Sequence, residues 1–191
     1  ASAMLKKKPS ESWSTPDGAF YSIGPKSGKT ALLFPGQGSQ YTGMLRDLAC
    51  AFPQMSSALT AADRGFVSLD KSRLSDRIYP VSSFSEGAAI SQEERLRATD
   101  VAQPAIGAVS IGALRILESF GFSADAAAGH SYGELTALSA AGCIDETALH
   151  TLSRLRGRLM AGDGGDKGSM LAVPAPLATV EKIIAEEGLD L

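Results

Sequence analysis

Apolar and polar positions change pattern abruptly along this chain, and each change predicts an element. Through residue 29 there is no apolar period, only a stretch rich in Pro, Gly, Ser and Lys that reads as a linker, headed by ASAM, which looks like an expression scar. TALLF (Thr30–Phe34) is then a short apolar run suited to a buried strand, PGQGSQ a turn, and YTGMLRDLACAF a helix reaching Pro53. Residues 63–100 are mixed and polar and predict no element. From Pro104, a residue suited to a first helical turn, AIGAVSIGALRILESF carries one apolar face, and Gly121 supplies the C′ stop. SADAAAGHS predicts a second strand and ELTALSAAG a helix ending at Gly142; another, capped by Asp145, runs through Leu159. After the loop GDGGDKGS, MLAV predicts a strand and a last helix ends near Gly188. Strands alternating with helices give an α/β fold with a largely parallel sheet, without internal repeats.

Composition narrows this picture. With 191 residues and 44% apolar side chains, the chain can bury a core as one domain, or one domain plus part of another. A net charge of -3 argues against a nucleic-acid or membrane surface, and the Lys6-Lys7-Lys8 run reads as solvated linker. No apolar run approaches a membrane span, and the first residues lack the apolar core of a secretory signal. Cys50 and Cys143 form no CxxC pair, so metal and redox motifs are absent, and both are expected to stay reduced in a cytoplasm.

The chemistry concentrates in GHSYGE, residues 129–134, a serine between two glycines at a strand-to-helix junction. This is the arrangement of a nucleophile elbow, in which glycine beside the serine lets the backbone turn without a Cβ clash. The same letters also fit a plain Gly/Ser loop. A serine nucleophile needs a base, most often histidine, and the chain has two. His130 adjoins Ser131 and should point to the opposite side, packing under the elbow. His150, in the next helix, reads as a solvated histidine. In elbow hydrolases the base follows the serine along the chain, yet nothing between Tyr132 and Leu191 supplies it, so the base is expected outside these residues. Two other Gly-rich stretches do not qualify. GKT at 28–30 lacks the earlier P-loop glycine, which is Ile23 here, and precedes a strand instead of following one. PGQGSQYTG has Gly36 and Gly38 but Tyr41 where a dinucleotide fingerprint needs its third glycine.

Four separated blocks, LLFPGQGSQYTGM, ATDVAQPAIGA, GHSYGE and LSRLRGRLM, in this order and spacing, resemble the malonyl-CoA:acyl-carrier-protein transacylases and the acyltransferase domains of polyketide and fatty-acid synthases. GELTAL, with FPGQGSQY and AQPAIGA, is closer to the domains of polyunsaturated-fatty-acid synthases and enediyne-type polyketide synthases. The resemblance implies an α/β-hydrolase-like acyltransferase core over 30–168 and, at 169–191, the start of an inserted ferredoxin-like subdomain. It makes Ser131 the nucleophile that carries the acyl group as an ester, with the backbone N–H groups of Gln37 and Tyr132 as the oxyanion hole. It gives Arg156 the free carboxylate of a malonyl-type group, which a guanidinium can hold through two parallel hydrogen bonds. Gln103, His130 and Met160 fall to the acyl pocket. The implied substrates are a coenzyme A thioester and the phosphopantetheine thiol of an acyl carrier protein, with neighbouring synthase domains such as a ketosynthase as partners and no metal or bound redox cofactor. The family's catalytic histidine has no match here, so these residues alone are expected to be inactive or nearly so. Two other readings stay open: a serine hydrolase or thioesterase, and a non-catalytic scaffold module.

Overall fold

The computed structural model describes residues 2–24, 28–66, 72–162 and 173–188. The chain divides into two compact units, Ala1–Ala161 and Gly162–Leu191. The first opens with α1 (Ser2–Lys7) and a small antiparallel hairpin of β1 (Trp13–Ser14) and β2 (Phe20–Tyr21). The stretch that reads as linker thus holds local structure: Trp13 and Tyr21 stack across the hairpin at 5.4 Å, and Gly18 turns the chain at φ +83°. Next come β3 (Ala31–Phe34), α2 (Arg46–Ala51), α3 (Pro53–Gly65), α4 (Leu74–Ile78) and α5 (Glu86–Arg97). The unit finishes with α6 (Thr99–Ser119), β4 (Ala126–Gly129), α7 (Gly133–Ala140) and α8 (Glu146–Ala161).

Among the described residues the parallel sheet is the single pair β3 and β4, in register from Ala31 opposite Ala126 to Phe34 opposite Gly129. Asp125 fixes the entry, its carboxylate accepting the Thr30 N–H at 2.8 Å. Because the strands are parallel and end level, the turn after Phe34 and the turn after Gly129 emerge side by side at one end, where α/β sheets build their sites.

The core is organised by α6. Its residues are apolar almost all round, and such a helix belongs in the interior. By length and composition α6 could cross a membrane, which corrects the reading that no apolar run is long enough; 72% of its apolar window is instead buried inside the protein. Glycines let neighbours approach it closely: a Cβ on Gly112 would stand 2.3 Å from Met55 Sδ of α3, and one on Gly157 of α8 would stand 2.9 Å from Asp100 Cα.

Several expected boundaries move. Pro104 lies inside α6, not in its first turn, because Ala98 already starts the helix by accepting the N–H groups of Val101 and Ala102 at 2.9 and 2.7 Å. Burial of Pro104 among core neighbours sustains a proline where it removes one helical hydrogen bond. Pro53 opens α3 at its N1 position instead of merely closing the preceding helix. That preceding helix shortens to α2 because Gly43 and Leu45 adopt φ +78° and +51°, a left-handed turn. Residues 63–100, which predicted nothing, hold the end of α3 and all of α4 and α5; the mostly polar α5 buries only Leu96 and so shows no strong period. Gly121 and Gly142 take positive φ after their helices, and the Asp145 carboxylate accepts the Ala148 N–H at 2.7 Å, as expected.

In the second unit the described element is α9 (Leu177–Glu187), which ends at Gly188 with φ +61°. The expected strand MLAV lies outside the described residues except for Val173, as does the loop GDGGDKGS beyond Gly162.

Candidate active site

Ser131 sits between β4 and α7 with φ +53°, in the left-handed region that a side chain adopts only at a cost of about 1–3 kcal/mol. The surroundings hold it there. His130 N–H donates to Phe34 O at 3.0 Å, Gly133 N–H to His130 O at 2.9 Å and Glu134 N–H to Ser131 O at 3.2 Å. The flanking glycines are sterically required: a Cβ on Gly129 would meet the Gly133 carbonyl at 2.1 Å, and one on Gly133 would meet Phe34 O at 2.2 Å. The turn after β3 presses on the same point, since a Cβ on Gly36 would stand 2.5 Å from His130 O and 3.3 Å from Ser131 Cβ. The Ser131 side chain is exposed, beside the N-terminal, electropositive end of α7.

Tyr132 follows with its backbone at that helix start and its ring fully buried. Its hydroxyl lies 2.6 Å from Ser153 Oγ, and Ser153 spends its own proton on Leu149 O at 2.6 Å, so the tyrosine is the donor. Burial pushes the phenol pKa up to about 12, which keeps that donor proton in place. A Cβ on Gly107 of α6 would stand 2.0 Å from the Tyr132 hydroxyl, so glycine is what admits the ring.

Gln37, in the turn after β3, is exposed, yet its side-chain amide is held at both ends: Nε2 donates to Thr99 Oγ1 at 3.1 Å, and Oε1 accepts from Gln103 Nε2 at 3.1 Å. Gln103 is fully buried, its Nε2 also 3.4 Å from Met160 Sδ and its Oε1 without a partner. Arg156, on α8, directs Nη2 at Ser131 Oγ across 3.5 Å, the long limit of a hydrogen bond, while its buried Nη1 has no partner. Ser131, Gln37, Tyr132, Arg156, Gln103 and Met160 are therefore gathered where the turns after β3 and β4 meet α6 and α8.

The two histidines depart from expectation. His130 is exposed instead of lying under the elbow, with Nδ1 only 2.9 Å from where a Gly36 Cβ would be, because the close approach of the Gly36 turn occupies that side. His150 is not a solvated histidine: its side chain is 10% exposed, with Nε2 3.4 Å from Glu146 Oε1, and Glu146 also pairs with Arg115 of α6. Burial holds its imidazole pKa below the usual value. Neither histidine is hydrogen-bonded to Ser131 Oγ. Thr99 and Ser153, both in contact with the proposed groups, were not singled out by the sequence. Thr99 had a readable signal, since it stands one helical turn before Gln103 and so shares its face; Ser153 had none.

An exposed, strained serine, a helix start beside it and a guanidinium with a free buried N–H suit attack on an acyl carbonyl attached to an anionic group. Comparison with known proteins agrees. Residues 31–189 match the Acyl transferase domain family. The chain is 38% identical over 164 residues to one component of the polyunsaturated fatty acid synthase of Thraustochytrium sp., covering 82% of this chain and 6% of that protein. Among solved structures, acyl-carrier-protein-S-malonyltransferase from Bartonella henselae superposes with a TM-score of 0.62 at 32% identity, covering 83% of this chain and 49% of that one. A malonyl-transacylase in complex with its type II polyketide synthase acyl-carrier protein gives 0.59 at 36% identity, covering 70% and 39%. The chain thus spans less than half of the solved relatives and a small part of the synthase. On its elbow, its fold and these matches, the chain belongs to the acyl transferase domain family.

Proposed function

We propose that this chain supplies the nucleophile, oxyanion hole and carboxylate clamp of an acyltransferase that moves a malonyl group from coenzyme A to an acyl carrier protein within a multidomain synthase. Ser131 Oγ attacks the thioester carbonyl, and the oxyanion that forms is held by the backbone N–H groups of Gln37 and Tyr132. A fixed donor of this kind is worth about 3 kcal/mol of barrier. The C–S bond breaks, coenzyme A leaves as its thiol, and malonyl remains as an ester on Ser131. The phosphopantetheine thiol of the carrier then attacks that ester, and the serine hydroxyl is restored. Removal of the serine proton falls to a base outside the described residues, since both histidines are otherwise placed.

The observation that carries the reading is Arg156: Nη2 at 3.5 Å from Ser131 Oγ and a buried Nη1 with no partner. The malonyl carboxylate lies one methylene from the carbonyl under attack, so a cation beside the nucleophile can pair with it. Similarity to malonyltransferases, one of them in complex with a carrier protein, supports the same substrates. We further read residues 30–168 as an α/β-hydrolase-like core, 169–191 as the start of a ferredoxin-like subdomain, a neighbouring ketosynthase as a partner, and the exposed free thiols of Cys50 and Cys143 as fitting a cytoplasmic setting.

The test is competition between acceptors. In its native polypeptide, the protein incubated with malonyl-CoA and holo-carrier protein should form malonyl-carrier faster than free malonate; malonate released without carrier loading would make it a hydrolase.

A further inference from the structure

We propose that Thr99 is a positioning residue for the Gln37 backbone N–H. This rests on the acyltransferase reading above. A glutamine on an exposed turn ordinarily keeps its rotamer freedom, and the turn moves with it. Here α6 grips the Gln37 amide from two residues one helical turn apart, Thr99 through Oγ1 at 3.1 Å and Gln103 through Nε2 at 3.1 Å. A planar amide bonded at both ends loses its rotamer freedom, which restrains Cα of residue 37 and the N–H beside it relative to α6.

Thr99 also touches the other half of the site. A Cβ on Gly157 would stand 3.0 Å from Thr99 O, so α8 rests directly on this first turn of α6, one residue from Arg156. The same residue therefore sets the distance between the turn that carries the Gln37 N–H and the helix that carries the guanidinium. Gln103 is fully buried, and replacing it would disturb the core; Thr99 is half-buried, and its hydroxyl can be removed with little change of shape.

The experiment compares wild type, Thr99→Val and Thr99→Ser in the native polypeptide. Two readouts are taken: the rate of Ser131 acylation by malonyl-CoA, and amide hydrogen exchange of residues 36–40. Thr99→Val should exchange faster across this turn and load Ser131 about fivefold more slowly at saturating malonyl-CoA, the scale of one lost hydrogen bond, with KM unmoved. Thr99→Ser, which keeps the hydroxyl, should match wild type in both. Unchanged exchange and rate in Thr99→Val overturn the proposal. A wild-type protein that takes no malonyl counts against the functional reading instead, and exchange alone then decides Thr99, faster supporting it and unchanged refuting it.

Discussion

Arg156 Nη2 stands 3.5 Å from Ser131 Oγ, and the other terminal nitrogen of the same guanidinium is buried with no partner. On the proposed function, this cation beside the nucleophile pairs with the free carboxylate of the incoming acyl group. Arg156→Ala should therefore lower malonyl loading about 10- to 100-fold, the scale of charge-assisted hydrogen bonds, while acetyl loading falls much less. Rates of adduct formation from malonyl-CoA and acetyl-CoA on the two proteins measure the ratio. Equal losses for both would show that the arginine supports the elbow and not the carboxylate.

The positive φ of Ser131 carries a stability cost. Ser131→Gly should gain about 0.5–1 kcal/mol in chemical denaturation while abolishing adduct formation. Gly133→Ala should lose more than about 2 kcal/mol, since its Cβ would lie 2.2 Å from Phe34 O. A neutral or stabilising Gly133→Ala would contradict the packing of the two turns.

Tyr132 links stability to high pH. Its folded pKa of about 12 exceeds the ordinary 10.0, so its contribution is complete below pH 10 and is lost as pH rises through 12. Tyr132→Phe should flatten the decline in unfolding free energy over that interval, by roughly 2–3 kcal/mol in total. Denaturant titrations at several alkaline pH values check this. An unchanged slope would mean that the phenol ionises in the fold as it does in water.

His150 works in the opposite direction. Its folded pKa lies below 6.5, so the unfolded chain binds the proton first, and the stability this group contributes above pH 6.5 is lost as pH falls below it. Arg115 adds to the depression, while Glu146 opposes it. His150→Gln should make unfolding free energy less sensitive to pH just below 6.5; a steeper dependence in the variant would reverse the assignment.

What the sequence made legible was local. GHSYGE announces its geometry because glycine is the only residue that tolerates the contacts at 129 and 133, and Asp145 and Gly121 mark helix ends by chemistry confined to one turn. Prolines misled, because Pro53 and Pro104 look alike as letters while one begins a helix and the other is carried inside one by burial. The polar helix α5 was invisible for want of a buried face. The clamp on Gln37 could not be read at all: Gln37 and Thr99 are 62 residues apart, and their contact exists only once β3 and α6 are packed. His150 was misjudged for the same reason, since it is buried only once α8 packs against the end of α3, where a Cβ on Gly65 would stand 4.0 Å from His150 Cβ.

The most direct measurement is the intact mass of the protein, in its native polypeptide, after incubation with malonyl-CoA. The account predicts one malonyl adduct on wild type, removed by holo-carrier protein and absent from Ser131→Ala. An adduct that persists in Ser131→Ala, or no adduct from any coenzyme A thioester, would contradict it.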